Sequence, residues 1–143
     1  MSKAQNTGAV KKFLYINRRA PHGSNYAQEG LEMAMVGAAF EQEVAIAFID
    51  DGVFQLKRGQ NPAGAGLKNF TAAFGALGDH DIRDIFVERE SLEARGLRAE
   101  DLLQLVFEDE NENGERAEKS AVQIVGGDEL AEIIARQDVL LNF

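Results

Sequence analysis

Apolar side chains run without polar alternation through two short stretches in the first third of the chain, residues 13–16 and 44–49. Uninterrupted apolar runs of this length are typical of strands buried on both faces, as in a parallel sheet covered by helices. Between the two runs, apolar residues recur at helical spacing at Leu31, Ala34, Met35 and Ala38. Ser24 or Asn25 is available as the N-cap, and Gln28 lies three residues beyond Asn25. The pattern predicts a β-α-β unit.

The alternation of strand and helix continues into the middle of the chain. Leu67, Phe70 and Phe74 have the spacing of one helix face. Gly78 can end that helix, and residues 85–87 then form an apolar run that predicts a third strand.

A further helix and strand are predicted near the end of the chain. Asp128 can cap a helix that buries Leu130, Ile133 and Ile134, and an apolar strand follows at residues 139–141. Repeated alternation of strand and helix indicates an α/β fold with an open, mostly parallel sheet.

Two segments give a weaker signal, because glutamine interrupts each apolar run. We predict strands at residues 102–107 and 121–125. The acidic stretch between them, residues 108–115, is more typical of a solvated loop than of a recognition arm. Within it, Asn113 and Gly114 form a pair that favours a hairpin turn.

Composition limits the classes of function. The 143 residues include no cysteine, which excludes disulfides and thiolate metal sites. The two histidines, His22 and His80, are too few for the usual clustered zinc site, so we expect no structural zinc. The net charge of −9 disfavours direct contact with a nucleic-acid backbone. No apolar leader or membrane-spanning stretch is visible, so we expect a cytoplasmic protein. We expect residues 1–11 to be a mobile tail and residues 12–143 to form a single domain.

The loop after the first predicted strand carries Arg18, Arg19 and His22 and leads into a helix amino terminus. Open α/β sheets place ligand sites at such positions, so this loop could hold an anion. The alternative is a surface turn set by Pro21 and Gly23, which the lack of a glycine-rich phosphate motif favours.

Asp50 and Asp51 follow the second predicted strand and should lie near the same loop. They could orient His22 for base catalysis, with Ser24 as nucleophile. The alternative, in which Asp51 and Gly52 form a turn and an aspartate pairs with an arginine, is favoured because no nucleophile-elbow pattern surrounds Ser24.

Three large apolar residues follow this turn, at Val53, Phe54 and Leu56, with Gln55 among them. They either pack beneath the loop or form a contact patch for another chain.

Four segments together resemble the DsrE/DsrF-like family. They are Ala20-Pro21-His22-Gly23, Glu29-Gly30-Leu31, the stretch from Phe48 to Leu56 with Gly59-Gln60, and Ser91 to Leu97. The likeness extends from about Phe13 to Phe143 and is greatest to the DsrF/TusC branch. Asp51-Gly52-Val53-Phe54-Gln55-Leu56 is its most specific part.

The resemblance implies a flavodoxin-like sheet with helices on both faces. It also implies assembly with two related subunits, DsrE/TusD-like and DsrH/TusB-like, in a 2:2:2 heterohexamer that relays persulfide sulfur to an accepting carrier protein. In the Dsr branch the relay serves oxidation of stored sulfur, which is the branch we favour; in the Tus branch it serves 2-thiouridine in transfer RNA.

In the sulfur-carrying sibling, the family has a reactive cysteine just after the third strand, and Glu88 matches the vicinity of that position. A carboxylate cannot form or transfer a sulfane sulfur, so we expect that this chain is not the sulfur carrier. We also expect no catalytic residue, cofactor or metal in it. Arg18, His22, Asp51, Phe54, Gln55 and Leu56 are the candidates for a partner interface or loop site.

Two other functions are compatible with the pattern. A stand-alone enzyme would use His22, Asp50 or Ser24. A nucleotide or flavin module is the other alternative, because flavodoxin-like sheets often serve as such modules and the fold alone does not fix the function. The latter ranks last, since the first loop lacks both a P-loop and a Rossmann glycine pattern.

Overall fold

The computed structural model describes residues 10–59, 74–75 and 77–143. The strands are β1 (Lys12–Asn17), β2 (Glu43–Phe48), β3 (Asp84–Glu88), β4 (Val106–Glu110), β5 (Arg116–Ser120), β6 (Val122–Val125) and β7 (Val139–Asn142). The α-helices are α1 (Tyr26–Ala39), α2 (Arg89–Ala94) and α3 (Gly127–Ala135). Short 3-10 helices span Asp50–Leu56, Leu77–His80 and Ala99–Asp101.

Five of the strands form one parallel sheet in the order β6-β3-β2-β1-β7. The chain builds outward from β1 through β2 and β3 to β6, and then returns to place β7 on the other side of β1. The direction of winding therefore reverses between β1 and β7, and all five carboxyl ends lie at one edge of the sheet. The predicted open parallel sheet is confirmed.

The two faces of the sheet carry different apolar clusters, because successive side chains along a strand point to opposite faces. One cluster joins strand residues to Leu31 and Ala34 of α1; its strand members include Tyr15, Ile46, Phe48, Ile85 and Val87. The other joins strand residues to Leu130 of α3; its strand members are Leu14, Ile16, Ala45, Ala47 and Val125. Helices thus cover both faces, as the resemblance implied.

Tyr15 lies on the face that α1 covers. Its ring stacks with Phe13 and Phe143, at centroid distances of 6.3 Å and 6.2 Å. Burial raises the pKa of the Tyr15 phenol above its ordinary value. A side chain at Gly37 would lie 2.5 Å from the Tyr15 hydroxyl, so α1 approaches this strand closely only because residue 37 is glycine.

The prediction of a strand at residues 102–107 is wrong for residues 102–105. Leu102 and Leu105 are buried in the core, and the Leu103 amide donates to the Leu56 carbonyl outside the sheet. The strand begins only at Val106 and pairs antiparallel with β5. Residues 102–105 are mostly apolar because this irregular segment packs into the core, and not because it forms a strand.

The acidic stretch is also partly strand, which corrects its prediction as a loop. Glu108 pairs with Arg116 at 3.1 Å and Asp109 with Lys119 at 3.4 Å, so cross-strand ion pairs offset the acidic charge of β4. The amide of Glu110, and then the Lys119 ammonium, hold the pKa of Asp109 below its ordinary value. The predicted turn is confirmed, with Gly114 at a φ of 76°.

The predicted strand at 121–125 is confirmed as β6, which begins one residue later. The cap predicted for the helix that follows it is wrong. The N-cap of α3 is Gly126, and the carboxylate of Glu90 in α2 accepts a hydrogen bond from the Gly127 amide at 2.7 Å. The first free amide of this helix, that of Gly127, therefore has its partner in another helix rather than in Asp128.

Asn25 is the N-cap of α1, as predicted, but its side chain makes no capping hydrogen bond. Gln28 does not complete a capping box, because its amide donates instead to Glu32 at 2.9 Å. The predicted helix around Leu67 and Phe70, and residues 1–9 of the predicted tail, lie outside the described residues. No helix in the described part is long and apolar enough to cross a membrane.

Candidate functional site

Three segments meet beyond the carboxyl ends of β1, β2 and β3. They are the loop at residues 18–25, the 3-10 helix Asp50–Leu56 and helix α2. Parallel strands bring these three connections to one edge of the sheet, which is where ligand and partner sites of open α/β folds form. The sequence prediction placed the loop and the aspartates at this edge.

Gly52 is the point of closest approach between these segments. A Cβ atom there would overlap the Asn17 carbonyl oxygen and lie 2.6 Å from the Asn17 carbonyl carbon. Hydrogen bonds fix the approach, because the Ile49 amide donates to the Asn17 oxygen at 3.1 Å and the Gly52 amide to the Ile49 oxygen at 2.9 Å. Position 52 therefore accepts only glycine, because any side chain would clash with the backbone of Asn17.

Gln55 connects the 3-10 helix to the first loop by a hydrogen bond. Its side chain is 4% exposed and its Nε2 donates to the Arg19 carbonyl at 2.9 Å. Val53 and Leu56 are fully buried, whereas Phe54 is partly exposed. Val53 and Leu56 therefore pack beneath the loop, which is one of the two alternatives that the sequence left open. Of the three apolar residues, Phe54 alone retains exposed surface.

Glu88 is the N-cap residue of α2 and belongs to a hydrogen-bonded chain. The buried Ser91 hydroxyl donates to Glu88 Oε1 at 2.5 Å and accepts from the Asp50 amide at 2.9 Å. This chain connects the ends of β2 and β3. Glu88 therefore helps to hold neighbouring segments together.

Both aspartates at the end of β2 pair with arginine. Arg95 Nε lies 3.0 Å from Asp51 Oδ1, and another Arg95 nitrogen donates to the Ser91 carbonyl at 3.1 Å. Arg18 Nε lies 3.5 Å from Asp50 Oδ2, with both side chains about half exposed. The exposed pair contributes little stability, whereas the Arg95 pair ties the 3-10 helix to α2.

His22 lies in the first loop and is partly buried. Its Nδ1 has no hydrogen-bond partner among the described residues, and none of the described hydrogen bonds joins it to Asp50, Asp51 or Ser24. Since the two carboxylates face arginines, the arrangement expected for a Ser-His-Asp enzyme is not assembled in the described structure.

Arg18 and Arg19 border a crevice of about 380 Å³ where the winding of the sheet reverses. Asp50, Asn142 and Phe143 form its other walls. Arg19 places its guanidinium 3.7 Å from the centroid of the Tyr26 ring, and Arg18 pairs with Asp50. Both cations therefore already have partners within the chain, and an anion would compete with them.

Ser91, Arg95 and Glu90 have site contacts that the sequence prediction missed. One signal was available: Ser91 lies three residues after Glu88, the spacing between an N-cap and the third residue of a helix. The partners of Arg95 and Glu90 are 44 and 37 residues away in the chain, which no local pattern reveals.

Within residues 10–59, 74–75 and 77–143, no group of three or more His, Cys, Asp or Glu side chains is arranged to hold a metal ion. The whole chain has no cysteine. The polar groups of the site are hydrogen-bonded mainly to each other, an arrangement that holds three connections in fixed positions.

The sequence is similar to known proteins along most of its length. A profile described as the DsrE/DsrF-like family matches residues 11–143. The intracellular sulfur oxidation protein DsrF of Allochromatium vinosum is 45% identical over 134 residues, which cover 94% of this chain and 97% of that protein.

Further relatives match a smaller part of the chain. A TusC homolog of Pseudomonas aeruginosa is 40% identical over 98 residues, covering 68% of this chain and 82% of the relative. The TusC protein of Escherichia coli is 38% identical over 88 residues, covering 62% and 74%. Among solved structures, the ychN protein of Escherichia coli superposes with a TM-score of 0.69 over 94% of this chain at 20% identity, which supports the same fold.

Proposed function

We propose, because the chain belongs to the DsrE/DsrF-like family, that it is a non-catalytic subunit of a cytoplasmic persulfide-relay complex. Two related subunits would carry the sulfur chemistry. The observation that carries the proposal is the similarity to DsrF over nearly the whole length of both chains, combined with the complete absence of cysteine.

The chemistry of sulfur transfer supports a division of labour. A persulfide forms and moves by attack of a thiolate, and a carboxylate such as that of Glu88 cannot replace it. Glu88 and Ser91 are hydrogen-bonded to each other, and Asp51 pairs with Arg95. These contacts support a role in holding surface segments in position rather than in turnover.

Sulfur oxidation is the favoured setting. DsrF of Allochromatium vinosum is matched over 97% of its length at 45% identity, whereas the TusC homolog of Pseudomonas aeruginosa is matched over 82% at 40% identity. The second candidate is a TusC-like subunit of the relay for 2-thiouridine in transfer RNA, which the TusC similarity supports. Genes for a reverse-acting sulfite reductase beside this gene would favour the first setting, and their absence the second.

The assembly follows the family pattern in this proposal. Two copies each of this chain, a DsrE/TusD-like subunit and a DsrH/TusB-like subunit form a 2:2:2 hexamer, which passes sulfur to an accepting carrier through the siblings. In this proposal residues 12–143 enter the assembly as one domain.

Co-expression of the full chain with the two sibling subunits from the same genome, followed by native mass spectrometry, tests the proposal. We expect a complex that contains two copies of each subunit. A chain that remains monomeric while the two siblings assemble without it would contradict the proposal.

A further inference from the structure

Helix α1 is apolar around most of its circumference. Its inner face is buried at Ala27, Gly30, Leu31 and Ala34. Apolar residues also lie exposed on and just after the helix: Tyr26 at 43%, Met33 at 44%, Val36 at 46% and Phe40 at 72%. A helix that is apolar on more than its inner face is expected to be covered on its outer side as well.

The exposed apolar residues form a line along the helix. Tyr26, Met33 and Phe40 are seven residues apart, so they lie nearly above one another, and Val36 is three residues from Met33 and four from Phe40. At 1.5 Å per residue the line is roughly 20 Å long. It is one continuous stripe rather than scattered surface residues.

The stripe continues onto the edge of the sheet. Tyr26 and Met33 neighbour Gly30 on the helix surface, and a Cβ atom at Gly30 would lie 3.2 Å from Cγ of Phe143, the residue that follows β7. Strand β7 is the outermost strand on this side of the five-stranded sheet.

Strand β7 lacks the usual protection of an edge. Its residues Val139–Asn142 include no charge and no proline. Natural edge strands that remain exposed usually carry such residues, because a bare edge pairs with other chains. We call the stripe Tyr26, Met33, Val36 and Phe40, together with the outer edge of β7, the α1–β7 face.

The size of this face fits a subunit interface. The exposed parts of the four stripe side chains amount to roughly 400 Å² of mainly apolar surface, comparable to the largest patch on a typical monomer. A standard interface buries about 800 Å² per partner, of which the apolar centre is a part. The stripe can supply the apolar centre of such an interface. The β7 edge and the surrounding polar residues can supply the rest of the buried area.

Charge decides which partner fits. The charged residues of α1 are Glu29, which neighbours both Tyr26 and Met33, and Glu32; Glu41 and Glu43 follow the helix. A second copy of this chain would bring no cation of its own α1 helix against Glu29 and Glu32, and covering Glu29 without a cation would be costly. Cations lie at the two ends of the stripe: the Arg19 guanidinium is stacked on Tyr26, and Lys11 and Lys12 neighbour Glu43 in the sheet.

We propose that the α1–β7 face binds a different, related subunit whose matching surface is apolar and carries Lys or Arg opposite Glu29 and Glu32. This inference rests on the proposed function, since it names the surface through which the chain joins the assembly. It concerns the interface alone and requires no chemistry from this chain.

The test uses the full chain and each sibling subunit, with affinities measured by titration and assembly followed by native mass spectrometry. Met33→Glu and Phe40→Glu are expected to weaken binding of one sibling by about a hundredfold or more, as for anchors at an interface centre. Val106→Glu is the matched control, because Val106 is also 44% exposed but lies in the hairpin strand β4. It should bind like the wild type.

A charge variant tests the nature of the partner. Glu29→Lys is expected to weaken the same binding by about tenfold, while Glu118→Lys in strand β5 should leave it unchanged. Thermal unfolding of each isolated variant should match the wild type, which separates loss of binding from loss of folding.

The outcomes distinguish the two proposals. If the wild-type chain ignores both siblings, the proposed function fails. If the wild-type chain assembles and Phe40→Glu assembles equally well, or Val106→Glu is equally disruptive, only the assignment of this face fails. A homodimer formed through this face that the siblings do not displace would also overturn it.

Discussion

Gly52→Ala is expected to lower the free energy of unfolding by about 3 kcal/mol or more. The added methyl group would overlap the carbonyl oxygen of Asn17 and lie 3.1 Å from the Arg18 amide nitrogen. These atoms are backbone at the end of β1, a strand paired on both sides, so they cannot rotate away as a side chain could. Equilibrium unfolding in urea measures the change.

Gly75→Ala is the matched control. A Cβ atom at Gly75 meets no atom of the described residues within 4 Å, its φ is outside the left-handed region, and its backbone is helical. Its effect should stay within about 0.5 kcal/mol. Equal unfolding midpoints for Gly52→Ala and the wild type would show that the segment after β2 does not approach β1 as closely as described. A stability of 5–15 kcal/mol, typical of domains, makes the expected loss a large fraction of the total.

Phe48→Ala is expected to lower the free energy of unfolding by about 3–5 kcal/mol, because it leaves a cavity in the core. Phe48 is 1% exposed and meets Phe74 edge to face at a centroid distance of 5.9 Å. It is the last residue of β2, directly before the segment that carries Asp50 and Asp51. The same urea titration measures the effect.

Phe40→Ala removes the same side chain from an exposed position, where 72% of the residue is accessible. In the isolated chain this variant should unfold within about 0.5 kcal/mol of the wild type. Similar losses for Phe40→Ala and Phe48→Ala would contradict the burial pattern. An unaffected fold also makes position 40 suitable for testing the α1–β7 face.

The central strands could be predicted from sequence because burial on both faces leaves uninterrupted apolar runs. This holds for β1 and β2, whose runs at residues 13–16 and 44–49 are covered by helices on each side. The hairpin β4–β5 could not be predicted as a whole, because its strands consist largely of charged residues. Their pairing depends on contacts such as Glu108 with Arg116, which only the folded hairpin brings together.

The position of the candidate site could also be predicted, since the residues that follow parallel strands meet at one edge. Its internal contacts could not. Ser91 contacts the Asp50 amide across 41 residues of sequence, and Arg95 contacts Asp51 across 44. Such pairs depend on how far the chain travels between strands, which local periodicity does not record.

The outer side of α1 was missed for a different physical reason. Leu31, Ala34, Met35 and Ala38 identify the buried face by their spacing, and the remaining apolar residues then look like ordinary helix positions. Tyr26, Met33 and Phe40 do repeat at seven-residue intervals, which is a signal of a second contact surface. Its meaning becomes clear only when the structure leaves those side chains exposed.

The central claim is that this chain completes a sulfur-relay assembly without holding sulfur itself. Its most direct test is to load the assembled complex with a persulfide donor, separate the subunits without reductant and measure their intact masses. We predict that this chain is present in the complex at unchanged mass while a sibling gains the mass of sulfur. Sulfur bound covalently to this chain, or a loaded complex that lacks it, would contradict the account.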